Sequence, residues 1–160
     1  MGQIKNKNTL RLIMFFSFFA IGAAYFIEYV LGHEPCNLCF VERIPYLLSI
    51  PLIVLAIVLK KFEKIILVVL SLLFILGTVV SFYHFGIEQG FFTESLICSL
   101  ETNETNLSRA DLLKQLKQTT VSCKDVTFTV FGLSLATINT IISLILSVIT
   151  IKLFFNYEKN

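Results

Sequence analysis

The sequence predicts an all-α membrane protein: a bundle of four transmembrane helices with both termini cytoplasmic. Three observations lead there. Hydrophobic residues make up 56% of the 160-residue chain, above the roughly 45–50% apolar share of soluble domains, and mean hydropathy is +0.81. The apolar residues gather into four long runs, and runs of that length are membrane spans in the making. The basic residues cluster in the connections and tails on one side of those runs. At this length a single integral domain, 1–160, is the expectation. A net charge of only +2 leaves no basic footprint for nucleic acid.

The first helix is expected at about 10–31. Its 22 residues would span roughly 33 Å, enough for the hydrocarbon core. Basic residues open it, as they would a signal peptide, but the run is longer than a signal's apolar region and no small-residue cleavage site follows. A retained helix is therefore expected. The second helix, about 44–59, takes Pro45 in its first turn and should be kinked by Pro51. The third runs over about 65–87. The fourth, about 133–155, ends on Lys152, Phe154, Phe155 and Tyr157, suited to a membrane interface.

The connections are uneven. KKFEK (60–64) is a tight turn, 32–43 is a short loop and 88–132 is a long polar one. Within the long loop, SRADLLKQLKQ (108–118) reads as a short helix. Ser108 and Asp111 form a capping box, and Leu112, Leu113 and Leu116 form an apolar stripe. It would lie on the bilayer surface or pack on its own loop. Lys5, Lys7, Arg11, the lysines of KKFEK, Lys152 and Lys159 place the termini and the tight turn in the cytoplasm by the positive-inside rule. The other two loops then face outward, into the periplasm of a bacterial inner membrane.

All four cysteines fall on that outer side: Cys36 and Cys39 in the first loop, Cys98 and Cys123 in the second. The compartment is oxidising, and an even count there reads as two disulfides. A four-cysteine zinc site needs two close pairs, whereas the second pair here is 25 positions apart, so no metal is expected. A Cys98–Cys123 bond would close a loop worth about 3 kcal/mol in the chain-entropy model. A bond between Cys36 and Cys39 constrains almost no chain, so that pair has a chemical rather than a stapling purpose. Cys39 precedes the second helix, near its positive end, with Arg43 one turn on; both lower a thiol pKa. A stabilised thiolate makes its disulfide easier to reduce. The reading is a redox-active disulfide at the membrane surface, with an apolar bilayer molecule such as a quinone as electron acceptor.

PCNLCFVER (35–43) resembles the signature of the DsbB/BdbC family of bacterial disulfide bond formation proteins. SFYHFGIEQGFF (81–92) is similar to that family's Tyr-His-x-Gly-x-Glu segment. ICS (97–99) and VSCKD (121–125) resemble its second cysteine pair, and FGLSLATIN (131–139) resembles the opening of its fourth helix. The match runs from about Ala23 to Asn139. The chain departs from its relatives in having no tryptophan.

The resemblance implies a four-helix bundle, a monomer, that reoxidises a periplasmic DsbA-type thioredoxin-fold partner and passes electrons to ubiquinone or menaquinone. Cys98 would form the mixed disulfide with the partner. Cys123 would hand electrons on through a transient bond to Cys36, and Cys39 would face the quinone. Arg43 matches the family arginine that helps bind and polarise the quinone. His84 and Glu88, i and i+4 on the third helix, would contact the quinone or deliver protons; the plainer reading is an interfacial histidine and a solvated carboxylate. Glu28 reads as a relay carboxylate or, more plainly, as an interfacial residue near a helix end, and Glu42 as locally paired or solvated. Two rival functions stand beside this one. A vitamin-K-epoxide-reductase-like enzyme carries its Cys-x-x-Cys in a late helix, not before the second. A membrane scaffold or transporter with two structural disulfides has no need of Arg43 beside the pair.

Overall fold

The computed structural model describes residues 2–59, 62–94, 98, 122–126 and 128–158. Among them are four long helices, α1 (Gly2–Tyr29), α2 (Asn37–Val58), α3 (Glu63–Glu88) and α4 (Leu135–Glu158). A two-stranded hairpin, β1 (Thr129–Val130) and β2 (Leu133–Ser134), leads into α4. Each helix holds a stretch long and apolar enough to cross a membrane: Lys7–Tyr29, Asn37–Val58, Glu63–Glu88 and Leu135–Tyr157. The four fit a multi-pass membrane protein. The short helix expected at 108–118 lies outside the described residues.

Of the boundaries that differ from the sequence expectation, three helix starts have a physical reason. Helix α1 begins at Gly2, not Leu10, because the polar stretch before the apolar run still hydrogen-bonds as helix. Helix α2 begins at Asn37, seven residues before Ile44. Cys36 takes the extended N-cap conformation and its sulfur accepts from the backbone N–H of Cys39. Pro45 and Pro51 therefore both lie inside the helix, which runs unbroken through them. Interior prolines are tolerated in membrane helices where neighbours compensate. Gly77 of α3 makes room here: a Cβ on it would lie 3.2 Å from Pro45 Cγ. Helix α4 begins at Leu135, not Leu133, because Leu133 and Ser134 pair with Val130 and Thr129. Ser134 then caps the helix, its Oγ accepting from the Thr137 N–H at 3.2 Å.

Helix α3 is the centre of the bundle, packed against α2 and α4, while α1 lies mainly on α2. The core is Leu10 and Ile13 of α1, Tyr46, Ile53 and Ala56 of α2, Ile66, Leu67, Leu70 and Phe74 of α3, and Leu146 and Leu153 of α4. Small hydroxyl residues are buried among them: Ser17, Ser49, Ser71, Ser81, Ser143 and Thr150. Large apolar side chains such as Phe15, Phe19, Leu72, Leu76 and Ile145 point outward. That is the distribution for a lipid solvent, where small and polar residues mediate helix contacts and bulky apolar ones meet the tails. The turn after α3 folds back tightly. Phe91 and Phe92 donate their N–H groups to Gly86 O, and Phe92 stacks on Tyr83. A Cβ on Gly86 would lie 2.1 Å from the Phe92 ring, so a side chain here would force the ring to shift.

Candidate active site

The N-terminal end of α2, the C-terminal ends of α1 and α3 and the start of α4 converge on one polar cluster. From α2 come Cys36, Cys39, Glu42 and Arg43; the 3.6-residue period puts Glu42 and Arg43 one turn beyond Cys39. Helix α3 adds Ser81, His84 and Glu88, α4 adds Asn139, and α1 adds Glu28. The sequence-predicted residues Cys36, Cys39, Arg43, His84 and Glu88 all line one cavity of about 410 Å³. Its remaining walls are mainly apolar, including Phe16, Ala20, Ile27, Phe128, Ile138 and Ile142.

Cys36 and Cys39 are not bonded to one another. Their sulfurs lie 2.7 Å apart, and Cys36 Sγ is 3.5 Å from His84 Nε2. Cys98 and Cys123 form a disulfide with a Cα–Cα distance of 5.8 Å. Glu94 anchors that pair's loop, accepting from Ser122 Oγ at 2.5 Å and from the Lys124 N–H at 3.2 Å. Cys36, Cys98 and Cys123 belong to a single buried cluster with Leu38 and Ile87, with Cys39 packed against it. The two pairs are therefore neighbours despite their separation in sequence.

The stabilised thiolate is Cys36 rather than Cys39. The hydrogen bond from Cys39 pulls the Cys36 thiol down to about 5, against its burial, and His84 adds to the effect. The N–H at the start of α2 points the same way. A helix starting at Ile44 would leave Cys39 as the residue just before it and favour that thiol instead. With α2 starting at Asn37, Cys36 becomes the cap and receives the donors.

Behind His84 stands a network that the sequence reading missed. Glu42, expected to be solvated or locally paired, is 7% exposed. Its Oε1 accepts from His84 Nδ1 at 2.7 Å and its Oε2 from Asn139 Nδ2 at 2.8 Å. Asn139 also donates to Ser81 Oγ at 2.7 Å and accepts from the Tyr46 hydroxyl at 2.5 Å. His84 is itself only 3% exposed. Glu88 lies with Oε1 4.0 Å from His84 Nε2, and its Oε2 is buried without a hydrogen-bond partner among the described residues. Glu28 pairs with Arg43 at 2.5 Å, and the guanidinium lies 5.2 Å from the Tyr25 ring centroid and 5.0 Å from that of Phe40. One signal pointed to Glu42 and Glu28 in advance. A carboxylate in or beside a membrane-length apolar run is a functional candidate by default, because solvating it there is expensive.

Four membrane-length helices around a dithiol, a histidine–carboxylate pair and an apolar cavity define a multi-pass membrane protein built for thiol chemistry. Comparison with known proteins agrees. Residues 6–153 match the family model described as disulfide bond formation protein DsbB, and the chain belongs to that family. It is 28% identical over 146 residues to an uncharacterized protein of Rickettsia prowazekii, covering 90% of this chain and 84% of the relative. It is 36% identical over 97 residues to the SPbeta prophage-derived disulfide bond formation protein B of Bacillus subtilis, covering 61% of this chain and 64% of that one. No solved structure matches it significantly.

Proposed function

We propose that this protein oxidises the dithiol of a DsbA-type thioredoxin-fold partner and delivers the two electrons to a membrane quinone, ubiquinone or menaquinone. The observation that carries this reading is the largely apolar cavity that reaches Cys36, Cys39 and Arg43 together. A quinone is an apolar ring with polar oxygens, accepting two electrons and two protons. The cavity suits such a ring, and Arg43 suits one of its oxygens. The cysteines would face the periplasm and the lysine-rich turn and tails the cytoplasm of the inner membrane.

The exchange steps follow from thiolate attack on disulfide sulfur. A partner thiolate attacks Cys98, breaking the Cys98–Cys123 bond and forming a mixed disulfide. The partner's second thiol displaces Cys98, leaving with its own disulfide, while the electron pair remains on Cys98 and Cys123. The Cys123 thiolate attacks the Cys36–Cys39 disulfide at Cys36, and Cys98 then resolves that bond. This restores Cys98–Cys123 and leaves Cys36 and Cys39 as the dithiol. The electrons would leave through Cys39, the less buried of the two. His84 and Glu88 would hold or pass the protons that accompany them.

The test is quinone reduction in membranes supplied with reduced partner, across the four single Cys→Ser variants. Each variant is expected to lose turnover. A Cys39→Ser protein reducing quinone at the wild-type rate would refute the reading.

A further inference from the structure

We propose that Cys36, Cys39 and His84 form a binding site for a thiophilic divalent cation such as Zn²⁺, open only while the two cysteines are reduced. The sequence spacing argued against a four-cysteine site, and the Cys98–Cys123 bond removes those two sulfurs from consideration. The fold supplies a different set. The ligand atoms of Cys36, Cys39 and His84 all lie within 4.8 Å of one another.

Three features make this more than a coincidence of soft ligands. The first is distance. A tetrahedral zinc site with Zn–S of about 2.3 Å and Zn–N of about 2.05 Å places sulfur and nitrogen roughly 3.6 Å apart. Cys36 Sγ and His84 Nε2 stand at 3.5 Å. The sulfurs, at 2.7 Å, would open by about 1 Å to the separation of roughly 3.8 Å that the same geometry requires. Cys39 is half-buried on the cavity side, with space to turn.

The second feature is orientation. His84 Nδ1 is taken by Glu42 Oε1 at 2.7 Å, which turns the Nε2 lone pair toward the sulfurs. Metal-bound histidines are held in this way by a carboxylate on the far nitrogen. The third is charge and access. The two sulfurs share one cavity with Glu42 and Glu88, the latter with a buried oxygen unpartnered among the described residues, and a divalent cation offsets such a concentration of negative charge. All three ligands border the cavity, leaving a fourth position for water or for Glu88.

Binding takes up one M²⁺ and releases whatever protons the two thiols and His84 Nε2 still carry. No electron moves. Oxidation to a Cys36–Cys39 disulfide consumes both thiolates and expels the ion, so the metal and the electron-transfer cycle compete for the same sulfurs. The proposal does not depend on the acceptor being a quinone.

The experiment uses the full chain in detergent with Cys98 and Cys123 replaced by alanine, so that Cys36 and Cys39 are the remaining thiols. The reduced protein is titrated with Co²⁺ and Zn²⁺. One ion per chain is expected, with thiolate-to-cobalt charge-transfer and tetrahedral d–d absorption that Zn²⁺ displaces. The oxidised protein should bind neither. His84→Gln should weaken binding at least tenfold and alter the d–d bands, and Glu42→Gln should weaken it about 10- to 100-fold. Binding that survives oxidation, or that is unchanged by His84→Gln, would overturn the proposal. Should the double-alanine chain not fold, the fully reduced wild type serves: replacing both Cys36 and Cys39 by serine must remove one bound ion, and no loss refutes the site.

Discussion

Glu42 on α2 and His84 on α3 are 42 positions apart in sequence, yet Glu42 Oε1 lies 2.7 Å from His84 Nδ1. The opposite ring nitrogen faces Cys36 at 3.5 Å. The three side chains form a line from carboxylate through imidazole to sulfur, built across two helices and closed by Asn139 from a third. A carboxylate this buried must be paired to be tolerated, and its partners are the residues that orient the thiol chemistry.

Glu42 is therefore predicted to be a positioning residue acting through His84. A hydrogen bond to a charged group contributes about 1.5–3 kcal/mol, so Glu42→Ala should slow electron delivery from the dithiol by roughly 10- to 150-fold. Glu42→Gln, which can still accept from His84, should lose less. Single-turnover quinone reduction measures the rate. The pH profile of the Cys36 thiolate separates positioning from mere loss of fold, since only the former moves its midpoint.

That profile is itself a prediction. A thiol lowered to about 5 is thiolate at neutral pH and is protonated only as pH falls through 5. Thiolate absorbance of the reduced protein should therefore be flat from about pH 7 down to 6 and decline around 5. Cys39→Ala removes the largest cause and should shift the midpoint upward, toward the ordinary thiol value near ~8.5. His84→Gln should shift it upward as well. An unshifted midpoint in Cys39→Ala would show that the donor to Cys36 lies elsewhere.

The same stabilisation sets the redox balance. Each unit by which a variant raises the Cys36 thiol pKa costs the dithiol form about 1.4 kcal/mol at neutral pH, or about 30 mV for a two-electron couple. His84→Gln should make the Cys36/Cys39 couple more reducing by tens of millivolts. Equilibration against a glutathione series, followed by thiol trapping, reads the shift.

How much of this was legible in the sequence depended on whether the signal was local. The four apolar runs announced four helices, because span length is a property of consecutive residues. Pro45 misled at the start of α2, since a proline inside a membrane helix and one in its first turn look alike in sequence. What distinguishes them is Gly77, 32 positions away, against which the ring packs. The cysteines, Arg43, His84 and Glu88 were visible as residue types in pattern. Glu42 and Glu28 were visible as misplaced charges, but their partners are set by how α1, α2 and α3 meet. The hairpin around Phe131 and Gly132 was hidden because its strands are two residues each, too short for any period to register.

Arg43 is expected to act on the acceptor rather than on the cysteines. It is held between Tyr25 and Phe40 and paired with Glu28. Arg43→Ala should raise the quinone KM about tenfold or more while the Cys98–Cys123 bond still forms. Arg43→Lys keeps the charge but loses the planar fork and its stacking, so it should restore activity only in part. Glu28→Gln loosens the guanidinium without removing it and should fall between wild type and Arg43→Ala. Steady-state kinetics with varied quinone separate the three, and an unchanged KM and turnover in Arg43→Ala would remove Arg43 from the site.

The turn that carries the chain from α3 toward Cys98 should be sensitive at Gly86. A methyl there would overlap the Phe92 ring, whose approach is fixed by two backbone hydrogen bonds to Gly86 O and by stacking on Tyr83. Overpacking of this kind costs about 1–3 kcal/mol. Gly86→Ala should lower the unfolding midpoint in detergent accordingly. Phe92→Ala removes the obstacle at the loss of a half-exposed ring, so the double variant should be more stable than the sum of the two single changes implies. A double-mutant cycle measures that coupling, expected at about 0.5–3 kcal/mol for residues in contact. Strict additivity would mean that the ring simply moves aside, and that the turn does not rely on this contact to set the path of the chain.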